Sequence, residues 1–416
     1  MIDIVLNISI FPLLALDIIL LSWLFLFLKS LLNKTPKRKL NIKKYPKVTV
    51  LIPAYNEENN IENTLKNIKS QNYPNLEIIV IDDGSKDNTS KIAKKYAKVY
   101  RFEKNKGKHF ALNYGIKKSK GKFILIIDAD TVFENKNAIK KMVENFYLDK
   151  KIAVVTSSLK IKNKNNLITY FQNVEYNYQN LIRFGLNSLK LGTLYIWGCA
   201  TMFRKDVLKK VMFKESYSED IDTIIRIQMK GYKVLIDKNI IAYTIAPNNL
   251  KSFANQRIRW NSLIFQCIKD YKNVIFNPKY SSLGLYSLPL TIFWFPFSLI
   301  IFPLIIYQIF YWLQFQKNLI EIFMYFFFWF SFFGNINYLY KVTLGIWQFH
   351  IASFLGVLSG ILTFTLILIS LVYFKEKDIK DFLISFFVFP YFLFQNIIML
   401  FTLFFILFKK LRWLTK

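Results

Sequence analysis

The 416-residue chain has two cysteines, Cys199 and Cys267, and two histidines, His109 and His350. That supply excludes a disulfide framework and a Cys/His zinc site. It leaves a Ser-His-Asp or Cys-His nucleophile system poorly provided. Any metal must be held by carboxylates, which suits Mg²⁺ or Mn²⁺. Acids are scarce too: Asp+Glu total 27 against 57 for Lys+Arg, a formal net charge of +30. Such a balance raises nucleic acid as a partner. No zinc-ligand spacing, RNA-binding signature or basic-helix heptad accompanies it, so no nucleic acid is expected. A domain held against an anionic leaflet accounts for the lysine excess more simply. Lys, Ile, Asn and Phe are enriched throughout, which also fits a genome-wide bias. No internal repeat is evident.

Hydrophobic residues are plentiful at 53%, aromatics reach 18%, and mean hydropathy is +0.25. These values indicate a membrane component, with charge and apolar residues segregated along the chain. "FPLLALDIILLSWLFLFLKSLL" (Phe11 to Leu32) has the length of a membrane-spanning helix. Its basic residues follow the apolar run and no small-residue cleavage site is visible, which argues against a signal peptide. Lys34, Lys37, Arg38, Lys39, Lys43, Lys44 and Lys47 come next without an acid, so this flank is expected on the cytoplasmic side. Asp17 is placed near the outer interface and given no role.

The expected organisation is an N-terminal span (1–33), a basic linker (34–47), an α/β domain (48–248), interfacial helices (249–282) and a membrane region (283–416) of three to four helices. Further spans are expected near Tyr286–Trp312, Leu319–Tyr340, Phe349–Phe374 and Phe382–Phe408, the second polar enough to lie at the interface or line a cavity. Four of them would return the basic end, "KKLRWLTK", to the cytoplasm, with the mixed-charge loop "KEKDIKD" outside.

Between the membrane segments, "VTVLIP", "LEIIVID", "KFILIID" and "KIAVVT" are short β-rich runs alternating with helix-like stretches. They predict an α/β fold around a mostly parallel sheet. Three polar groups follow its strands: "PAYNEE" (Pro53 to Glu58), "DDGS" (Asp82 to Ser85) and "DADT" (Asp128 to Thr131). A lone Asp at a strand end is usually a cap or turn residue. Three groups on three strands should instead converge on one crevice. Strand alternation would aim Asp128 and Asp130 at the same site. Two such carboxylates suit a divalent metal bridging to a diphosphate. "NKGKHFALNYG" (Asn105 to Gly115) reads either as an ordinary turn or as a phosphate-attracting helix start with Lys108. In "YSEDID" (Tyr217 to Asp222), Ser218 can cap a helix whose first turn favours acids, and Asp220 can act as general base.

In this order, "PAYNEE", "DDGS", "DADT", "SED" and "QRIRW" resemble the membrane-embedded glycosyltransferases of family 2, which include cellulose, hyaluronan and poly-N-acetylglucosamine synthases. The resemblance covers roughly Val48 to Asp270. It implies a GT-A-type domain inserted between transmembrane helices, and an inverting hexosyltransferase forming β-linkages. It implies that Pro53, Tyr55, Glu57, Asp82, Asp83, Lys108, Asp128 and Arg259 bind the nucleotide and donor. Asp128 and Asp130 would hold Mg²⁺ or Mn²⁺. Asp220 would be the base with Glu219 beside it, and Gly198, Cys199, Gln256 and Trp260 would meet the acceptor. Ser218 stands where the family usually has Thr. The Phe-x-Val-Thr-x-Lys gating loop of cellulose synthases is missing after Trp260, which disfavours cellulose.

The leading expectation is a multi-pass plasma-membrane enzyme with a cytoplasmic catalytic domain. It would take a nucleotide-diphospho-sugar, foremost a UDP-sugar, and extend a polysaccharide that leaves through its own helices. One alternative adds a single sugar to a membrane lipid. Another is a non-catalytic scaffold or transporter, which would place its polar groups inside the spans. Membrane lipids are expected neighbours, and no accessory subunit is indicated. "NLKSFANQRIRWNSLIFQ" reads as a helix presenting Gln256, Arg259 and Trp260 on one face. Arg257 then points toward lipid headgroups or an internal carboxylate.

Overall fold

The computed structural model describes residues 2–32, 42, 44–313, 320–321, 324, 328 and 331–407. The basic linker expected over 34–47 lies partly, and the tail 409–416 wholly, outside the described residues.

Eight strands form one sheet: β1 (Val48–Ala54), β2 (Leu76–Asp82), β3 (Lys98–Arg101), β4 (Phe123–Ile127), β5 (Val132–Phe133), β6 (Ile152–Ile161), β7 (Ala200–Arg204) and β8 (Lys233–Thr244). Their order is β3-β2-β1-β4-β7-β6-β8-β5. The pairs β1/β2, β1/β4, β2/β3 and β6/β8 are parallel. Only β4/β7, β6/β7 and β5/β8 are antiparallel. The mostly parallel sheet is therefore present. Every residue of β4 and β6 is buried, as their apolar runs require of strands covered on both faces. The carboxyl ends of β1, β2 and β4 open on the same edge.

In chain order the helices up to the domain's end are α1 (Ile2–Leu32), α2 (Ile61–Lys69), α3 (Thr89–Ala93), α4 (Lys108–Lys118), α5 (Ala138–Asn145), α6 (Leu167–Leu186), α7 (Lys205–Val211), α8 (Glu219–Met229) and α9 (Leu250–Asp270). Beyond them come α10 (Leu288–Leu313), α11 (Phe332–Thr343), α12 (Ile351–Tyr373), α13 (Ile379–Ser385) and α14 (Val388–Leu407). Among the described residues, Asn7–Leu32, Leu283–Pro303, Ile351–Tyr373 and Val388–Ile406 are long and apolar enough to cross a membrane.

Helices α6 and α9 join the sheet to these spans. Ser30 on α1 donates to the carbonyls of Phe184 and Gly185 at the end of α6, both at 3.0 Å. A Cβ on Gly185 would press on the Phe27 backbone at 3.0 Å, so glycine lets the two helices meet. Phe27 also packs edge-on against Tyr373 of α12, ring centroids 5.1 Å apart. Phe253 and Ile258 of α9 join Tyr391 and Ile398 of α14 in one apolar core with Leu20 and Trp23 of α1.

Several expectations change. The "KEKDIKD" loop does not face away from the α/β domain. Lys160 and Lys164, at and just beyond the end of β6, are largely buried, and buried cations require partners. Lys164 Nζ lies 3.1 Å from Glu376 and 2.8 Å from Asp381, and Lys160 Nζ lies 3.5 Å from Glu376. The loop is therefore docked on the domain, and α12 and α14 meet on that side. Asp17, expected near the outer interface, packs against a neighbouring helix. It is 2% exposed and accepts a 2.6 Å hydrogen bond from Ser359 of α12, whose hydroxyl offers the donor an acid needs there. The span expected over Leu319–Tyr340 is described only at 320–321, 324, 328 and 331–340. Within it α11 has 12 residues, too few to cross alone. The last span begins at Val388, because Ile379–Ser385 forms a separate short helix.

Candidate active site

The turns after β1 and β2 hold one another. Asn56, with a left-handed φ of 56°, donates its N–H to Ser85 Oγ (2.9 Å), and the N–H of Glu57 meets Thr89 Oγ1 (2.7 Å). Asp82 is fully buried; one oxygen accepts from the Ser85 N–H at 2.8 Å, and the other lies 3.6 Å from Arg101 Nε. Both oxygens of Asp83 accept backbone N–H groups, from Lys106 (2.8 Å) and Gly107 (2.9 Å). Gly84, at φ 80°, has no room for a Cβ against the Lys104 backbone. Asp82 and Asp83 thus brace the turn after β2 and the loop before α4, with Pro53 near the end of β1. Tyr55 is exposed.

The arrangement of Asp128 and Asp130 differs from the expectation. β4 stops at Ile127, and Asp128–Thr131 is a turn closed by Thr131 N–H to Asp128 O at 3.1 Å. The two carboxylates share the site as turn residues, not by strand alternation. The turn is pinned by Thr64 Oγ1 on Ala129 O (2.7 Å), and by Cys199 O, which accepts the Asp128 N–H (3.0 Å). Asp130 accepts from the hydroxyls of Thr131 (2.9 Å) and Thr244 (3.3 Å). Burial, then the charge of Asp128, raises its pKa above the ordinary carboxylate range. Glu57 is raised for the same reasons, burial first and then repulsion from Asp130 and Asp128. Such crowding of acids favours a cation. No group of three or more His, Cys, Asp or Glu is placed to hold a metal among the described residues. Asp128 and Asp130 are the candidate ligands, a set that suits an ion shared with a diphosphate.

Lys108 opens α4. Its Nζ lies 2.8 Å from Asp128 Oδ1 and 3.7 Å from Glu219 Oε1. Burial opposes its charge, but the two acids outweigh that and hold its pKa above the usual lysine value. Glu219 and Asp220 begin α8. Ser218 does not cap that helix through its side chain; its Oγ donates to Asp220 Oδ1 at 2.5 Å, with the Ile221 N–H at 2.9 Å. The other oxygen, Oδ2, lies where a Cβ on Gly198 would fall. We therefore expect Gly198→Ala to displace Asp220 and lower kcat about 10²-fold, as small misplacements do, with nucleotide affinity unchanged by calorimetry. A kcat within twofold of the parent would show that this approach does not matter.

Helix α9 brings Gln256, Arg257, Arg259 and Trp260 to the same cavity. Arg257 does turn to an internal carboxylate: it is 3% exposed, 2.6 Å from Glu175 and hydrogen-bonded to Tyr391. Arg259 is exposed at the cavity wall, and its charge reaches Glu219. Trp260 joins Trp197 and Tyr176, centroids 6.5 and 6.4 Å away. Tyr176, Glu175 and Arg183, all on α6, were missed by the sequence reading. The available signal was the run of polar residues on a helix that buries them. Burial pushes the Cys199 thiol pKa up.

Lys108, Asp128, Asp130, Gly198, Cys199, Glu219 and Asp220 line one cavity of about 940 Å³. It continues past Trp197 and Trp260 to Trp23 and Leu20 of α1, Trp294 of α10, Ser359 of α12 and Asn396 of α14. Pro53, Tyr55, Glu57, Asp82 and Asp83 lie outside it.

The sheet, its carboxyl-edge acids and the helix carrying "QRIRW" define a GT-A-like glycosyltransferase fold flanked by apolar helices. Residues 49–212 match the family described as glycosyl transferase family 2. Poly-beta-1,6-N-acetyl-D-glucosamine synthase of Staphylococcus aureus (strain MSSA476) is 32% identical over 238 residues, 55% of this chain and 57% of that protein. The Staphylococcus epidermidis synthase is 32% identical over 222 residues, 51% and 53% of the two chains. The chain therefore spans little more than half the length of these relatives. The mannosyltransferase PcManGT from Pyrobaculum calidifontis, solved with GDP-Man and Mn²⁺, superposes with a TM-score of 0.54 at 16% identity. That match covers 89% of this chain and all of the other, and it speaks to fold alone.

Proposed function

We propose that the protein transfers a sugar, with inversion, from a nucleotide-diphospho-sugar to a growing polysaccharide that leaves through its membrane helices. The observation that carries this is the single cavity running from Asp220 to the spans, because it gives a chain a route away from the base. Asp220 takes the proton of the acceptor hydroxyl as that oxygen attacks the anomeric carbon. Lys108 and Arg259 balance the charge of the departing nucleotide diphosphate. Tyr55, with Asp82 and Asp83, receives the nucleotide base. Asp128 and Asp130 would hold Mg²⁺ or Mn²⁺, which supplies further charge neutralisation at the diphosphate. Trp197, Trp260 and Tyr176 offer ring faces to the acceptor sugar. The domain faces the cytoplasm at the plasma membrane, where nucleotide sugars are made.

A second reading, one sugar added to a membrane lipid, is favoured by the largely apolar walls that the same cavity has between the spans. Incubating the purified full chain with a panel of nucleotide sugars and Mg²⁺ or Mn²⁺ separates the readings. Nucleotide release with long products is expected; single-sugar products would establish the lipid reading, and no turnover of any donor would sink both.

A further inference from the structure

Arg183 has no place in the mechanism above. It sits near the end of α6, is 6% exposed and lines the cavity between the catalytic acids and the spans. Its Nη2 donates to Gln179 Oε1 at 2.9 Å, while Nη1 finds no partner among the described residues. Its guanidinium lies 3.5 Å from the centre of the Trp197 ring. An aromatic face offsets only a small part of the cost of burying a charge. Burial accordingly lowers the pKa of Arg183 from the usual arginine value. Arg257, by contrast, has a carboxylate partner: Glu175 meets Arg257 and Tyr391 through Oε2, while its Oε1 accepts from Gln179 Nε2 at 2.7 Å, so a neutral amide stands between Glu175 and Arg183.

Position adds to charge. Trp197 immediately precedes Gly198, against which Asp220 Oδ2 rests. Arg183 thus stacks on the residue next to the glycine that the proposed base touches. The diphosphate of the donor has its own cations, Lys108 and Arg259. Gln256, whose Oε1 is also buried without a partner, lines the same cavity.

We propose that Arg183 is an anion-binding group of the acceptor site, so that the acceptor carries a phosphate or a carboxylate. A guanidinium fork pairs with either. A wholly neutral acceptor would enter the cavity and leave this charge buried and unpaired. The inference rests on the glycosyltransferase reading and narrows its acceptor class.

The test uses the purified full chain in lipid vesicles with the donor it turns over best, and acceptors in matched pairs. One pair is a polyprenyl phosphate and the corresponding polyprenol. The other is a hexuronate oligosaccharide and its neutral hexose counterpart. In one pair the anionic member should have a KM at least tenfold lower than the neutral one. Arg183→Gln should erase that difference by raising only the anionic member's KM, and Arg183→Lys should recover part of it. Nucleotide affinity serves as the folding control. The responding pair identifies the anion as a lipid phosphate or a sugar carboxylate. Equal use of both members by the parent protein overturns the inference, as does an equal loss with both in Arg183→Gln, which would leave Arg183 as a support for Trp197. Donor turnover without anion preference sinks this inference alone; no donor turnover sinks the glycosyltransferase reading with it.

Discussion

Asp220→Asn is expected to lower sugar transfer by about 10²–10⁴-fold, the usual cost of losing a general base, while nucleotide binding persists. The substitution keeps the shape of the side chain. Its carbonyl oxygen can still accept from Ser218 Oγ and the Ile221 N–H, the two contacts that Oδ1 makes now. What disappears is the ability of the atom beside Gly198 to take a proton. Kinetics with purified protein, together with calorimetric nucleotide affinity, check both halves. Transfer near the parent rate would move the role to Glu219, which shares the first turn of α8 and faces Lys108.

Much of the fold was legible because buried parallel strands announce themselves. "VTVLI", "LEIIVI", "KFILI" and "KIAVVT" are continuous apolar runs, and each is a strand in the sheet. β3, β5, β7 and β8 were not. β3 has four residues, none of them buried, so no apolar run marks it. β7 lies inside "WGCATMFR", where the eye goes to the turn. β8 could have been found from alternation, since Val234, Ile236, Ile240 and Ala242 are buried between less buried neighbours. The side on which "KEKDIKD" lies was misjudged because a charge count sees only the loop. The deciding partners, Lys160 and Lys164, stand over 200 residues away in sequence.

Within the candidate site, motif order brought Lys108, Asp128, Asp130, Glu219, Asp220, Gln256, Arg259 and Trp260 to one cavity, as their spacing suggested. The turn at Asp128 escaped because a strand's last residue is not fixed by composition. The α6 residues escaped for a different reason. Buried polar side chains on a helix carry no motif; their meaning depends on what packs against them.

Arg257→Ala should destabilise the protein far more than a surface arginine would. Its partner Glu175 is 3% exposed, so removing the guanidinium leaves a buried carboxylate with only the neutral donors Tyr391 and Gln179. Breaking a buried pair in this way costs about 3–5 kcal/mol. At about 2–4 °C per kcal/mol for a domain of this size, the thermal midpoint of the detergent-solubilised protein should fall by roughly 6–20 °C. Replacing both partners, Glu175→Leu with Arg257→Met, should restore most of that loss, because a buried pair often contributes little beyond an apolar pair of similar volume. The double variant should still transfer sugar poorly. Arg257 lies 4.4 Å from the Trp260 ring centre and ties α9 to both α6 and α14, so it fixes the ring where the cavity passes from the domain into the spans. A midpoint within 2 °C of the parent for Arg257→Ala, falling further only on anionic lipid, would instead assign Arg257 to the membrane surface. Full activity in the double variant would show that Trp260 keeps its place without it.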